Sequence, residues 1–492
     1  MACSGLGLAA RSVLERAAPR AVRVARAVPN PSAAGSRELG PPPGRALSSA
    51  SAASASPPAA LPKPAQAGFH ESVLYRDLEA ASGPASRIAM ERELKYGCHN
   101  YQPLPVVLKS GRGVAVWDVE GREYLDCMAG YGAVNQGHSH PRLVQAMRAQ
   151  LDNFALASRA FYNNVLGEYE EFMTGVFRYD KLLPTNTGVE GGETAVKLAR
   201  RWAYDVKGVP ENRAKILFAE GNFWGRTLAA VSSSSDPSAF SRFGPFAPGF
   251  ELIPYNDLAV LEAKFRAEPD IAAFFVEALQ GEGGVVVPDE GYLRGIRALC
   301  DQYNVLWIGD EVQTGCGRTG YMAATDHEGV QPDLLILAKS LSGGMYPVSC
   351  VLANDPVMMN IYPGEHGSTF GGNPLGCTVA LEAVKVLLEE KLPENAAAMG
   401  EIFRDGLEQI RRAHPDQVVD ARGRGLMNAL ELTPGAKTTG WDLCLRLRDK
   451  GLLAKPTHGS IVRFTPPLVI DADQVNRCID IIGTAMDEVA RL

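Results

Sequence analysis

The sequence of 492 residues predicts an α/β protein, with a mostly parallel central sheet, flanking helices and a smaller C-terminal α+β domain. Two observations carry that reading. Short β-rich runs are apolar at consecutive positions, and helix-like stretches separate them. The runs are KILFA (215–219), AAFFVE (272–277), VLWIGDE (305–311) and DLLILAK (333–339). Continuous rather than alternating apolar positions fit strands buried on both faces. Intervening stretches such as GYLRGIRALCDQY (291–303) read as helices, and the alternation fits a doubly wound sheet. Beyond Gly376 the pattern changes to a long helix, TVALEAVKVLLEE, then GLMNALEL, an amphipathic LCLRLRDKG and IVRFTPPLVI, which together read as the smaller domain.

The segments ahead of this core differ. Residues 1–66 are dominated by Ala, Ser, Pro and Gly. Up to Arg45 they carry seven arginines against only Glu15 and Glu38. Such an Arg-rich, Ser-rich, acid-poor segment has the composition of an organelle transit peptide for the mitochondrial matrix or, with the same composition, the plastid stroma. No long apolar stretch follows, which disfavours secretion. Residues 67–131 read as an N-terminal segment, with helical character over 71–97 and a β-hairpin in WDVEGREYLD (117–126) around Glu120-Gly121. The large domain is expected over 132–379 and the small one over 380–492.

Composition excludes several classes. Net charge is −7 and the isoelectric point about 5.7, which argues against nucleic-acid binding and against a basic membrane-surface patch. No run of 18 apolar residues reads as a membrane span. Nine cysteines stand singly, without CxxC pairs or Cys/His metal spacing, so they read as free thiols. His138 and His140 in GHSH lack a nearby third ligand, and no metal is expected.

Ligands of open α/β sheets sit off the carboxyl ends of the strands. Glu277, Asp310 and Lys339 stand at three such ends. A buried lysine is costly unless paired or chemically used, and its amine becomes nucleophilic once its pKa falls. Lysine joined to an aldehyde carbon, with aspartate holding a pyridinium nitrogen protonated, is the chemistry of a pyridoxal-phosphate site. Taken alone, an Asp–Lys ion pair is the simpler reading. A phosphate cradle shifts the balance: TNTGVEGGETAVKLARR (185–201) is a Gly-containing turn feeding a helix, whose amides at Gly188 and Val189 attract an anion. HGSTFGGNP (366–374), with Ser368 and Thr369, is a second candidate, weak on its own.

From about Ile88 to the C-terminus the chain resembles the class III aminotransferases of fold type I. The runs IGDEVQTGCGRTG, LAKSLSGG after PD, and GEHGSTFGGNPLGC carry that resemblance in order and spacing. Further segments, among them KYGCHNYQPLPV (95–106), AVNQGHSHP (133–141), GNFWGRT (221–227) and LRLRDKGLLAKPTHG (445–459), resemble the ornithine δ-aminotransferase branch of that family. The resemblance implies a homodimer with active sites at the subunit interface, and transfer of the δ-amino group of L-ornithine to 2-oxoglutarate. N-acetylornithine and 4-aminobutyrate are the alternative substrates. By the same resemblance Lys339 matches the Schiff-base lysine, Asp310 the pyridinium partner, Gln313 a neighbour of the ring hydroxyl and Phe223 the stacked aromatic. Gly188, Val189, Ser368 and Thr369 match phosphate contacts, the last two from the other subunit. Tyr101, Tyr131 and Arg226 match the substrate pocket, and Glu282 with Arg463 a pair that swings between substrates. Two departures occur: Ala278 where relatives usually have Pro, and Cys316-Gly317 where close relatives often have Leu-Ala. Neither falls on a residue with an implied chemical role.

Overall fold

A computed structural model describes residues 78–81, 83–435 and 437–490. The expected transit peptide lies outside them. Fifteen described strands form three sheets. In the first, β1 (Leu108–Arg112), β2 (Ala115–Asp118) and β3 (Glu123–Asp126) make an antiparallel meander, with Ala115 opposite Leu125. The β2–β3 hairpin is the one expected around Gly121. Leu452–Leu453, designated β13, adds to β3 in parallel, so the C-terminal region completes a sheet begun by the N-terminal segment.

The central sheet has seven strands: β4 (Lys181–Thr185), β5 (Lys215–Ala219), β6 (Phe250–Ile253), β7 (Ile271–Glu277), β8 (Leu306–Asp310), β9 (Leu334–Leu337) and β10 (Ser349–Ala353). Their spatial order is β4-β10-β9-β8-β7-β5-β6. β10 runs antiparallel to both neighbours; the other five-strand block is parallel. All residues of β7, β8, β9 and β10 are buried, which is why these segments show no alternation in sequence. The helix Gly188–Trp202 lies against this sheet. A Cβ at Gly191 would stand 2.8 Å from Ile336 Cγ2, so glycine there lets the helix start approach the end of β9.

The third sheet, in order β11-β12-β15-β14, comprises β11 (Val418–Arg424), β12 (Met427–Leu432), β15 (Ile461–Phe464) and β14 (Lys455–Thr457). Helices Leu392–Ala413, Gly440–Asp449 and Ala472–Val489 pack with it, burying Phe403, Leu447 and Ile482. The preceding helix, Pro374–Glu389, starts four residues earlier than Thr378 because Asn373 caps it and Pro374 fixes its first turn. It therefore runs through the position where the large and small domains were expected to meet. Buried Arg318 ties the parts together by donating to the carbonyls of Leu426 (2.9 Å) and Pro466 (2.6 Å) and to Asn135 Oδ1 (2.5 Å).

Candidate active site

The site forms where β7, β8 and β9 end. Asp310 is the last residue of β8 and sits opposite Glu277, the last of β7. Both are buried; burial raises Asp310 to about 6, opposed by the Val312 N–H (3.0 Å) and the Lys339 ammonium. Burial and the neighbouring Asp310 raise Glu277 to about 8. The next acidic residue, Glu311, turns away to accept from the Thr314 hydroxyl and Thr325 N–H.

Lys339 does not close β9 as the sequence suggested. It stands two residues past the strand and opens a short turn, Lys339–Ser342, with φ of 47°. A side chain in the left-handed region is strained, and such strain concentrates at functional positions. Burial lowers its ammonium to about 8, opposed by the negative charges of Glu282 and Asp310. At pH 7 roughly one molecule in ten then carries the neutral amine, against fewer than about one in a thousand for an exposed lysine.

Glu282 and Arg463 are locked together. Arg463 Nη1 donates to Glu282 Oε1 (2.8 Å) and Nη2 to Oε2 (3.2 Å), the two-pronged geometry that suits a guanidinium. Arg463 lies inside β15 between β12 and β14, 5% exposed, and its Nε has no hydrogen-bond partner among the described residues. Burial would raise the Glu282 carboxyl, but Arg463 holds it below the usual carboxylate range. Gln313 Nε2 donates to the same Oε1 (3.2 Å), and the Glu282 carbonyl accepts from Thr457 Oγ1 (3.1 Å) and His458 Nε2 (3.0 Å). The Arg463 guanidinium lies 5.7 Å from the Tyr131 ring centroid, and Tyr131 has φ of 60°, a second strained residue in the cleft. Burial and the charge of Glu282 raise the Tyr131 phenol, which also senses Tyr101. Tyr101 itself is 66% exposed.

An anion cradle faces the same strand ends. Thr187 caps the helix Gly188–Trp202 in a capping box: Glu190 N–H donates to Thr187 Oγ1 (3.3 Å), and Thr187 N–H donates to Glu190 Oε2 (2.9 Å). The box satisfies the amides of Thr187 and Glu190 and leaves those of Gly188 and Val189 outward, without a partner among the described residues. Ser349 Oγ pins the turn by donating to the Thr187 carbonyl (2.7 Å). Ser368 Oγ accepts from Asn186 Nδ2 (2.8 Å), one residue before the cap, while Thr369 is exposed. Phe223 lies after β5, and the exposed Arg226 places its guanidinium 5.3 Å from the Phe223 ring centroid.

A model of the family described as "Aminotransferase class-III" matches residues 96–486. The chain belongs to the class III aminotransferases. It is 59% identical over 407 residues to a protein of Drosophila melanogaster named "Ornithine aminotransferase, mitochondrial", spanning 83% of this chain and 93% of that one. The rat protein of the same name is 58% identical over 400 residues, spanning 81% of this chain and 90% of its own. Among solved structures, an ornithine aminotransferase from Toxoplasma gondii, with partial occupancy of PLP at its active site, superposes with TM-score 0.81 at 45% identity, covering 86% of this chain and 98% of that one. An acetylornithine aminotransferase from Elizabethkingia anophelis superposes with TM-score 0.75 at 51% identity, covering 82% and 99%.

Pyridoxal phosphate is the cofactor of this class III aminotransferase, and the donor set fits it. Two unclaimed amides at a helix start suit a phosphate, Asp310 at the neighbouring strand end suits a pyridinium, and the depressed Lys339 amine suits an aldehyde. Sequence reasoning noticed Glu277 at a strand end but gave it no role. It also missed Thr457, His458 and Asn186. Only the fold brings those polar side chains to Glu282 and Ser368, and nothing local to their own segments announces it.

Proposed function

We propose that this class III aminotransferase moves the δ-amino group of L-ornithine to 2-oxoglutarate, giving glutamate 5-semialdehyde and glutamate. The observation that carries the reading is the closed Glu282–Arg463 pair beside Lys339. The site must accept ornithine, whose reacting carbon bears no carboxylate, and glutamate, whose reacting carbon does. A bare arginine would bind the α-carboxylate of every amino acid offered. Covered by Glu282, Arg463 presents no net charge to ornithine; uncovered, it holds the α-carboxylate of glutamate or 2-oxoglutarate. Arg226, exposed beside Phe223, is assigned the distal carboxylate in both half-reactions. Tyr101 and Tyr131 line the approach.

When bound, the cofactor supplies the aldehyde that takes up the amino group and a protonated ring that stabilises charge on the substrate carbon. The chain's residues do the rest. Asp310 would keep the ring nitrogen protonated, and Phe223 would supply an aromatic wall for the ring. Gln313 would serve the ring hydroxyl, and the amides of Gly188 and Val189 would hold the phosphate. Lys339 Nζ accepts the proton from the substrate carbon as a general base and returns it as a general acid; an amine near pKa 8 is well matched to both directions at neutral pH.

A homodimer completes this reading. Phe161, Tyr162 and Phe370 are 74%, 97% and 48% exposed, an aromatic surface that calls for a partner, and Phe370 adjoins Ser368 and Thr369. Those two hydroxyls are assigned to the phosphate of the neighbouring subunit. Residues 1–66 address the chain to the mitochondrial matrix, a reading supported by the arginine-rich composition and by the printed names of the fly and rat relatives. Turnover on ornithine, N-acetylornithine and 4-aminobutyrate, each with 2-oxoglutarate, tests the substrate. Ornithine is expected to give the highest kcat/KM; a preference for N-acetylornithine would replace the proposal.

A further inference from the structure

Glu277 is a buried carboxyl group that forms no ion pair among the described residues, an expensive arrangement unless its oxygens are used. They are used twice. Oε1 accepts from the backbone N–H of Phe223 (3.1 Å), and Oε2 accepts from that of Gly281 (3.0 Å). The first bond fixes the loop after β5, which presents Phe223 and Arg226. The second fixes the turn after β7, which presents Glu282 one residue later. The carboxylate itself is held at the end of β7, in register with Asp310 on β8. The Tyr255 hydroxyl caps the same strand end by donating to the carbonyls of Glu277 and Ala278, both at 3.3 Å.

We infer that Glu277 is a positioning residue for the amino transfer, tying the ring-facing loop and the arginine-masking turn to one rigid strand end. Through Gly281 it sets the distance at which Glu282 meets Arg463, and so contributes to the choice between ornithine and glutamate. Through Phe223 it sets the wall against which the cofactor ring packs. No other side chain reaches both backbone amides among the described hydrogen bonds. The inference rests on the proposed Glu282–Arg463 switch for its selectivity arm and is independent of it for the cofactor arm.

The test uses the full chain as holoenzyme in four forms: parent, Glu277→Gln, Glu282→Ala and the double variant. Glutamine keeps the volume, but its amide nitrogen cannot accept, so one of the two loops loses its tether. Two quantities are read: the dissociation constant of pyridoxal phosphate, and the ratio of single-turnover rates for ornithine and glutamate followed by cofactor absorbance. Glu282→Ala is expected to shift the ratio at least about tenfold toward glutamate. Glu277→Gln is expected to weaken cofactor binding or shift the ratio in the same direction, by about fivefold or more. Any shift in the ratio should vanish on the Glu282→Ala background. Glu277→Asp retains both acceptor oxygens on a shorter arm and is expected to recover part of the loss; it carries the same test if the glutamine variant does not fold. Equal loss of both rates in both backgrounds, with cofactor affinity unchanged, would mark Glu277 as merely structural and overturn the inference. An unmoved ratio in Glu282→Ala alone would instead sink the switch, and cofactor affinity would then decide the role of Glu277.

Discussion

Replacing the central lysine should make the cofactor-free protein more stable. Burial depresses Lys339 from 10.5 to about 8. Below pH 8 the amine is protonated in both folded and unfolded chains, and the folded state carries the whole cost of the buried charge. Between pH 8 and 10.5 the unfolded chain binds the proton that the folded chain has lost, so stability rises with pH and the cost fades. A shift of this size corresponds to about 3 kcal/mol at pH 7 and to less than half of that, about 1.4 kcal/mol, at pH 9.5. Part of the Lys339 side chain stays open to the cleft, so these figures are ceilings. Lys339→Met keeps the length of the chain, removes the charge and leaves no large cavity. For roughly 400 folded residues, 3 kcal/mol corresponds to a rise in Tm on the order of 3 to 4 °C. The assay is thermal unfolding of cofactor-free parent and Lys339→Met at pH 7 and pH 9.5. A variant no more stable than the parent at pH 7, or a gap that does not narrow at pH 9.5, would refute the reasoning. The same burial that costs stability supplies the neutral amine.

Two further outcomes follow from the site. Asp310→Ala removes the anion opposite Glu277, and the half-reaction with ornithine should slow by several orders of magnitude in single-turnover absorbance measurements; near-normal rates would remove Asp310 from the chemistry. Gly281→Ala would place a Cβ 2.4 Å from Gln313 Oε1, so Gln313 must leave Glu282 or the turn must move. Either change should loosen the Glu282–Arg463 pair and raise glutamate reactivity relative to ornithine, by several-fold in the same assay; an unchanged ratio would show that the turn has slack.

Much of this architecture is legible in the chain because burial erases ambiguity. β5, β7, β8 and β9 are apolar at nearly every position, so each stood out as a sheet-centre strand, and Asp310 stood out as the polar residue ending one. The antiparallel course of β10 was not legible, since an apolar run of five residues carries no direction. Leu452–Leu453 pairs with Leu125-Asp126 across more than 300 residues, and no local pattern encodes that. The lysine was legible by chemistry, but its φ of 47° was not, because only glycine and asparagine advertise left-handed positions in sequence. Glu282 and Arg463 were paired through resemblance alone; their contact depends on β15 lying beside the turn after β7, a product of the whole fold. Glu277 shows the opposite failure. It was visible as a strand-end carboxylate, yet its work is with backbone amides of Phe223 and Gly281, which look like those of any other residue in a sequence.

The most direct measurement of the central claim follows the nitrogen. The purified protein, loaded with pyridoxal phosphate, is given L-ornithine labelled with 15N at the δ-amino group only, together with 2-oxoglutarate, and the glutamate formed is analysed by mass. With Arg463 covered while ornithine reacts, the δ-amine is transferred, and essentially all new glutamate should carry the label. Unlabelled glutamate as the main product would mean that the α-amine reacts and Arg463 is open from the start; no glutamate at all would mean that ornithine is not the substrate.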